Sequence, residues 1–376
     1  MLERLKPMLI KEVIQVLRDP RMRAVILVIP ILQMVIFGYA VNTDVRHIPA
    51  AVFDQDNTPA SRDLVAKFQG SGCFNIISHP ATEDEARRVI DLGEVKALFR
   101  FNHGFSGDLD GGRTANVQLI LDGSDSNTAG IVISYASAIA ARFNQQTMVR
   151  RIERSSGLHV DSEPVSTVSR AWFNPNLESR WFFLPGVIAQ LVMLISIILS
   201  SMAIVREQEI GTMEQIMVTP MGRAEFILGK TIPFALIGFA DVVLVSLVAV
   251  FWFKIPFIGN PLTLLFATAL YLLSTLGVGL FISTVSRTQQ QAMMTAFFFA
   301  MPAILLSGFI YPIANMPTVI RWITLLNPLR YFLVIIRGVF LKGVGFAVLW
   351  PQMAALAALG AVMIMLATLR FQKTAQ

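Results

Sequence analysis

Ionisable and nucleophilic side chains are where chemistry would reside, and in this chain they are poorly placed for catalysis. His47, His79, His103 and His159 lack the H-x-x-x-H type of spacing that sets two imidazoles on one helix face toward a metal. Asp54 with Asp56, and Asp108 with Asp110, are carboxylate pairs of the kind used in general acid–base work. Their Gly- and Pro-rich surroundings read instead as turns and helix caps. The single cysteine, Cys73, can form no disulfide within the chain. It reads as a small buried hydrophobe, with pairing to a second copy as the alternative. No G-x-S-x-G is present. Gly222…Gly229-Lys230-Thr231 imitates a phosphate-binding loop, but six residues separate the glycines where four are needed. The run also leads into an apolar stretch and follows no strand, so Lys230 reads as an anchor at the stretch's edge. No catalytic residue, bound cofactor or metal is expected in this chain.

Two acidic features remain. Residues 206–220, REQEIGTMEQIMVTP, place Glu207, Glu209 and Glu214 among Ile210, Met213, Ile216 and Met217 at helical spacing, and stop at Pro220. A solvated connector would fit the charges but not the apolar stripe, which needs a partner to cover it. The other feature is Asp241, the one ionisable residue inside a long apolar run. In a membrane a charge there costs at least a few kcal/mol. It reads as a site for a cation or proton, or as a structural bond to a neighbouring helix.

The elements that carry these residues follow from composition. Of 376 residues, 54% are hydrophobic and only 15% charged, with a mean hydropathy of +0.60. Soluble domains carry about 25% charged residues, so a soluble enzyme and a disordered chain are both disfavoured. A bilayer core needs about 20 apolar helical residues. Six stretches qualify: 24–43, 181–205, 231–253, 262–285, 291–313 and 346–369. The first resembles a signal peptide, but a preceding basic segment of 23 residues and the lack of a cleavage site favour an uncleaved span. Arg4, Lys6, Lys11, Arg18, Arg21 and Arg23 precede it, which puts the N-terminus inside. Six spans then return the C-terminal tail, 370–376, to the same side and leave 44–180 outside.

That outer block has ordinary soluble composition, with 14 basic and 17 acidic residues. It alternates strand signals (48–54, 74–78, 95–101, 115–122) with helical ones (59–68, 82–91 and a long stretch at 127–154). Thr82 and Glu85 have capping-box spacing. The expected fold class is therefore a polytopic α-helical membrane protein, six transmembrane helices with an inserted extracytoplasmic α/β domain. One segment breaks the charge rule. Residues 314–345 should lie outside, yet carry Arg321, Arg330, Arg337 and Lys342 with no acid.

The inner run resembles the E-x-x-x-G-T-x-E-x-x-x-x-x-P signature of ABC-2 type transporter permeases, matched by Glu207, Gly211, Thr212, Glu214 and Pro220. Three further segments are similar to the same family. They are KEVIQVLRDPR at 11–21, with Lys11, Glu12, Arg18 and Asp19; WFNPNLESRWFFLPG at 172–186; and residues 305–332, with Ser307, Gly308, Pro312, Pro317, Asn327, Pro328 and Tyr331. The large block between the first two spans resembles the drug-exporter-like branch. The resemblance implies a permease without its own ATPase, paired with a separate subunit that binds ATP and Mg. It implies ATPase coupling through 206–230, Glu209 included, and an amphipathic interface helix at 1–23. It also implies a re-entrant outer segment at 314–345, whose arginines would snorkel to headgroups, and a second permease copy or paralogue. A periplasmic adaptor docking on the outer domain is a further expectation. The expected cargo is lipophilic or drug-like; a lipid or saccharide exporter, or an ion-coupled transporter using Asp241, are the alternatives. The bacterial inner membrane is the expected location.

Overall fold

The computed structural model describes residues 9–11, 14, 18, 20–40, 47–124, 126–156, 172–175, 178–212 and 222–370. Two compact units emerge, one from Met1–Asn42 with Arg170–Gln376 and one from Thr43–Ser169.

The unit Thr43–Ser169 is a mixed α/β fold. Its elements run β1 (Ile48–Asp54), α1 (Pro59–Gly70), β2 (Phe74–Ser78), α2 (Glu83–Asp91), β3 (Ala97–Phe101), α3 (Phe105–Asp110), β4 (Val117–Leu121) and α4 (Ser126–Ser156). The strand order is β2-β1-β3-β4, with β1 parallel to both neighbours and β4 antiparallel to β3. Helical crossovers between parallel strands demand this layering. Alternation along β1 sends Ile48, Ala50 and Val52 to one core and Ala51 and Phe53 to the other. Phe68 of α1 stacks on Phe99 of β3 at 4.0 Å.

Asp54 and Asp56 serve as turn and cap residues, whereas Asp108 and Asp110 lie within α3, Asp108 pairing with Arg113 at 2.8 Å. Asp54 accepts from the backbone of Asp56 and Asn57 at 3.0 and 2.9 Å. Asp56 accepts from the Thr58 hydroxyl at 2.7 Å and from the backbone N–H of Gly104 and Ser106 at 2.8 and 3.0 Å. The Thr58 hydroxyl leads these donors in holding the Asp56 carboxyl below its ordinary range, against the opposing effect of desolvation. Asp56 thereby fastens α3, a six-residue helix that sequence patterning passed over because glycines flank it. Thr82 caps α2 by accepting from Glu85 N–H at 3.3 Å. Glu85 reaches Ala81 N–H at 2.9 Å, so the return bond lands one residue earlier than a capping box places it.

The other unit is helical. It contains α5 (Ile29–Ala40), α6 (Ser179–Ser201), α7 (Val205–Ile210), α8 (Arg223–Phe251), α9 (Pro261–Val285), α10 (Gln289–Leu305), α11 (Thr318–Ile323), α12 (Pro328–Arg337) and α13 (Phe346–Arg370). Among the described residues, four helices are long and apolar enough to cross a membrane: Ser179–Ile210 counted through its break, Glu225–Phe251, Pro261–Val285 and Phe346–Arg370. A fifth is added if the pair Thr318–Leu326 and Pro328–Lys342, bent by 82°, counts as one. The protein is thus a mostly helical, multi-pass membrane protein.

The six stretches read from sequence are only partly matched in length. In the first, the apolar helix is Ile26–Ala40, short of span length. In the fifth, α10 has 17 residues and stops at Leu305, where the expected stretch ran to residue 313. The stop has a local cause. Ser307 Oγ donates to Ile304 O at 2.7 Å and accepts from Phe309 N–H at 3.1 Å, and Gly308 takes φ +84°, a left-handed turn natural to glycine.

Helix α6 lies at the centre of the apolar core and is buried along most of its length. Helices α9 and α13 approach closely because a Cβ on Gly277 would sit 3.0 Å from Met363 Cβ, and one on Gly360 would sit 3.0 Å from Leu273. Ser274 Oγ bonds Leu356 O across that seam at 2.7 Å. Tyr271, fully buried, donates to Ala189 O at 2.9 Å and stacks on Phe332.

Candidate functional site

Helix α6 breaks at residues 202–204, and the chain resumes as the single turn and a half of α7. A break inside an apolar bundle frees backbone N–H groups. Ser283, near the end of α9, supplies an acceptor: its Oγ takes the N–H of Ile204 at 3.0 Å and of Val205 at 3.3 Å. Gly211 then closes α7 in the left-handed conformation, φ +79°, which a Cβ would penalise.

Glu207 occupies the middle of this short helix and is 2% exposed. Lys230 Nζ, also 2% exposed, lies 2.6 Å from Glu207 Oε1. Lys11 Nζ lies 3.1 Å from the same oxygen and 3.4 Å from Oε2. The Thr212 hydroxyl donates to Oε2 and to the Glu207 carbonyl. Two ammonium groups and a hydroxyl thus neutralise and saturate one buried carboxylate, which makes its burial tolerable. Two residues on, about half a helical turn away, Glu209 faces the other way: it accepts from Gln289 N–H at 2.8 Å and from the Gln289 side-chain amide. That bond places a negative charge on the N-terminus of α10, where the helix dipole favours it.

This geometry revises two expectations. Lys230, expected as an anchor at the edge of the apolar stretch, is buried in an ion pair with Glu207. Glu207, in turn, presents no free surface. Lys11 bridges from the N-terminal segment to the same carboxylate, while Arg18 is exposed. Glu12, Asp19, Glu214 and Pro220 lie outside the described residues. Sequence reasoning found Glu207, Glu209, Gly211 and Thr212 but missed Ser283 and Gln289. The signal for Lys230 was present: a lysine at the mouth of an apolar run needs a counter-charge.

The other sequence-selected residues lie apart from this junction. Asp241 sits on the inner side of α8, 2% exposed, and neither carboxylate oxygen has a hydrogen-bond partner. The residues expected to form the outer motif all shape the backbone. Asn327 caps α12 by accepting from Leu329 N–H at 3.1 Å, and its amide donates to Ala303 O on α10 at 2.6 Å. Pro328 follows at the first helical position, and Pro317 stands at the N-cap of α11. Pro312 precedes the 3₁₀ turn Ile313–Asn315. The arginines there bond nearby carbonyls and rings, and Arg321 does so while exposed. Arg321 bonds the carbonyls of Met316 and Ala314. Arg337 lies 3.7 Å over the Phe182 ring and donates to Phe182 O at 3.2 Å.

Among the described residues no group of three or more His, Cys, Asp or Glu side chains could hold a metal. Around Glu207 one short helix makes contacts to Lys11 and to the ends of α6, α8, α9 and α10.

Comparison with known proteins gives the same family. Residues 21–369 match the model for an ABC-2 family transporter protein. The chain is 33% identical over 353 residues to the probable multidrug ABC transporter permease YbhR of Escherichia coli K12, covering 94% of each chain. It is 34% identical to the probable multidrug ABC transporter permease YbhS of the same organism over 343 residues, 90% of this chain and 89% of that one. It is 27% identical to the inner membrane transport permease YhhJ over 87% of this chain and 85% of the relative. The chain belongs to the ABC-2 transporter family and is the permease subunit of an ABC transporter, working with a separate ABC ATPase.

Proposed function

We propose that this permease moves lipophilic or drug-like compounds outward, driven by ATP and Mg bound on the ATPase subunit. The printed names of YbhR and YbhS as multidrug permeases support that cargo class. In this reading the chain has six membrane spans, both termini in the cytoplasm and residues 44–180 outside the inner membrane. The short helix Ile26–Ala40 and the 17-residue α10 then cross together with the four long helices. The bent pair Thr318–Leu326 and Pro328–Lys342 serves as the outer re-entrant segment. Two permeases, identical or paralogous, enclose the pathway, and a periplasmic adaptor docks on the outer domain.

The Glu207 junction carries the coupling part of the proposal. ATP-driven motion of the ATPase pushes on residues 206–220, and α7 passes that push to every element it grips. Glu207 acts as the internal lock of this lever through Lys230 and Lys11. The outward-facing residues of the loop meet the ATPase, with Glu214 and Pro220 among them. The test is reconstitution with the partner ATPase and measurement of ATP hydrolysis beside vesicle transport. Glu207→Gln keeps the side chain's shape but removes the charge that holds two lysines. It should leave hydrolysis running while transport falls at least about ten-fold, the size of one lost charged hydrogen bond. Wild-type transport by Glu207→Gln would sink the lever.

Asp241 supports a second reading, an ion- or proton-coupled transporter, because its carboxylate is buried without a partner. Transport that persists with a catalytically dead ATPase, and is lost in Asp241→Asn, would favour it.

A further inference from the structure

The end of the helical unit where α6 begins carries cations that the transport reading does not use. Three stretches meet there. Ile258 and Gly259 donate their N–H groups to Phe340 O and Val339 O at 3.1 and 2.9 Å, and Arg337 Nε donates to Phe182 O at 3.2 Å. Their charge is one-sided. Residues 252–260 and 306–345 hold Lys254, Arg321, Arg330, Arg337 and Lys342 and no acid. In the third stretch, 172–182, Glu178 pairs with Arg180 at 3.5 Å.

Two of these cations are set apart by their surroundings. Arg337 ends α12, and Lys342 ends the π-helical turn that follows it, Gly338–Lys342. The i to i+5 bonding of such a turn puts residues five apart on the same side. Arg337 lies 3.7 Å over the Phe182 ring and is part-exposed. Lys342 is exposed, its Nζ 5.9 Å from the centre of the Phe173 ring. A ring face attracts a cation but leaves its charge in place. Among the described residues no carboxylate pairs with either cation. Arg337 Nη2 is also left without a hydrogen-bond partner. A guanidinium packed in this way calls for a counter-ion.

Exposed rings stand beside the two charges. Trp172 is 75% exposed and Phe173 47%. Phe173 takes φ +68°, where a bulky side chain is rare. Asn174 secures the turn that follows: its amide donates to Glu178 O and its side-chain oxygen accepts from Glu178 N–H, both at 2.9 Å. Tryptophan in a membrane protein settles at the level of the lipid headgroups. Two cations without a protein anion, beside rings at that level, fit a phosphate ester that carries an apolar tail.

We propose that Arg337 and Lys342 form a site for the phosphate of an anionic phospholipid, whose upper chains rest on Trp172 and Phe173. A net-anionic headgroup is favoured because neither cation has an acid beside it to balance the amine of a zwitterionic one. The site stands whatever cargo the permease moves and in whichever direction.

Native mass spectrometry of the full-length permease in detergent tests this, with phosphatidylglycerol and phosphatidylcholine of matched chains titrated separately. The wild type should bind phosphatidylglycerol about ten-fold more tightly than phosphatidylcholine. Lys342→Gln changes an exposed position, where folding is not at stake. It should weaken phosphatidylglycerol binding about ten-fold, the size of one lost charged hydrogen bond, and leave phosphatidylcholine binding unchanged. Arg337→Gln should act in the same direction, and Arg337→Lys should recover part of the loss. Lys254→Gln removes an exposed cation from the same end of the unit and should leave phosphatidylglycerol binding unchanged. Inorganic phosphate in millimolar excess tests the other source of the same group, and should not displace the lipid. Equal affinity for the two lipids, wild-type binding by Lys342→Gln, or an equal loss in Lys254→Gln overturns the proposal. Displacement by inorganic phosphate overturns it too, by assigning the two cations to a free anion.

Discussion

Two carboxylates in the helical unit are equally buried and oppositely provided for. Glu207 and Asp241 are each 2% exposed. Glu207 has Lys230 at 2.6 Å, Lys11 at 3.1 Å and the Thr212 hydroxyl. Asp241 has no hydrogen-bond partner for either oxygen. Burial alone therefore says little about what an acid does. The first carboxylate sits where the chain breaks and four helix ends meet, so its partners come from different elements and its bonds define their arrangement. The second sits within α8, near Gly238, whose absent Cβ lets Leu272 of α9 pack close. Buried and without a partner for either oxygen, the acid bears the desolvation penalty without contributing a bond.

The contrast breaks most sharply at Lys230. Removing one partner from a buried pair leaves the other charge stranded, at a cost of about 3–5 kcal/mol. Lys230→Met should lower stability by that amount, measured by thermal or denaturant unfolding of the purified protein. The double variant Lys230→Met, Glu207→Met should recover most of the loss, since well-packed apolar residues replace buried pairs at little net cost. Loss in the single variant without recovery in the double would mean that the loss comes from Lys230's own packing and not from a stranded Glu207 charge.

Asp241 should respond with the opposite sign. Asp241→Leu removes an unsatisfied buried group and should stabilise the protein by about 1–3 kcal/mol in the same unfolding assay. The corresponding Glu207→Leu should destabilise it. If Asp241→Leu stabilises while transport is lost, the acid has been retained for function against its structural cost, as stability–activity trade-offs require. If stability and transport are both unchanged, the carboxylate matters to neither.

Much of this contrast was legible in the sequence, and the rest was hidden for physical reasons. Apolar runs and the abrupt return of charge after α6 mark the helices and the turn, because the bilayer punishes unpaired polarity. The strands β1 and β2 follow from short apolar runs, continuous in β1 because both its faces are buried, and both begin and end where the sequence places them. Partnerships are another matter. Glu207 and Lys230 are 23 residues apart, and only folding brings α7 against the start of α8. Hydropathy alone counts residues 306–313 as membrane-like, whereas the Ser307–Gly308 turn ends α10 at Leu305.

The smallest effect separates the two lysines around Glu207. Lys11 is half exposed, its side chain at 51%, against 2% for Lys230. Water screens its charge and leaves its stem mobile, so Lys11→Met should cost about 1 kcal/mol or less. Salt should expose the same difference. Raising ionic strength from low to molar weakens exposed pairs because the screening length falls to about 3 Å. The gap between wild type and Lys11→Met should therefore close in high salt, while the gap between wild type and Lys230→Met persists. Because Lys11 is the described link from the N-terminal segment to the junction, its weakness has a mechanical reading. The Lys11 contact adds little to the junction, while Lys230 holds α7 to α8. A Lys11→Met penalty as large as that of Lys230→Met would place the N-terminal segment in the permanent core instead.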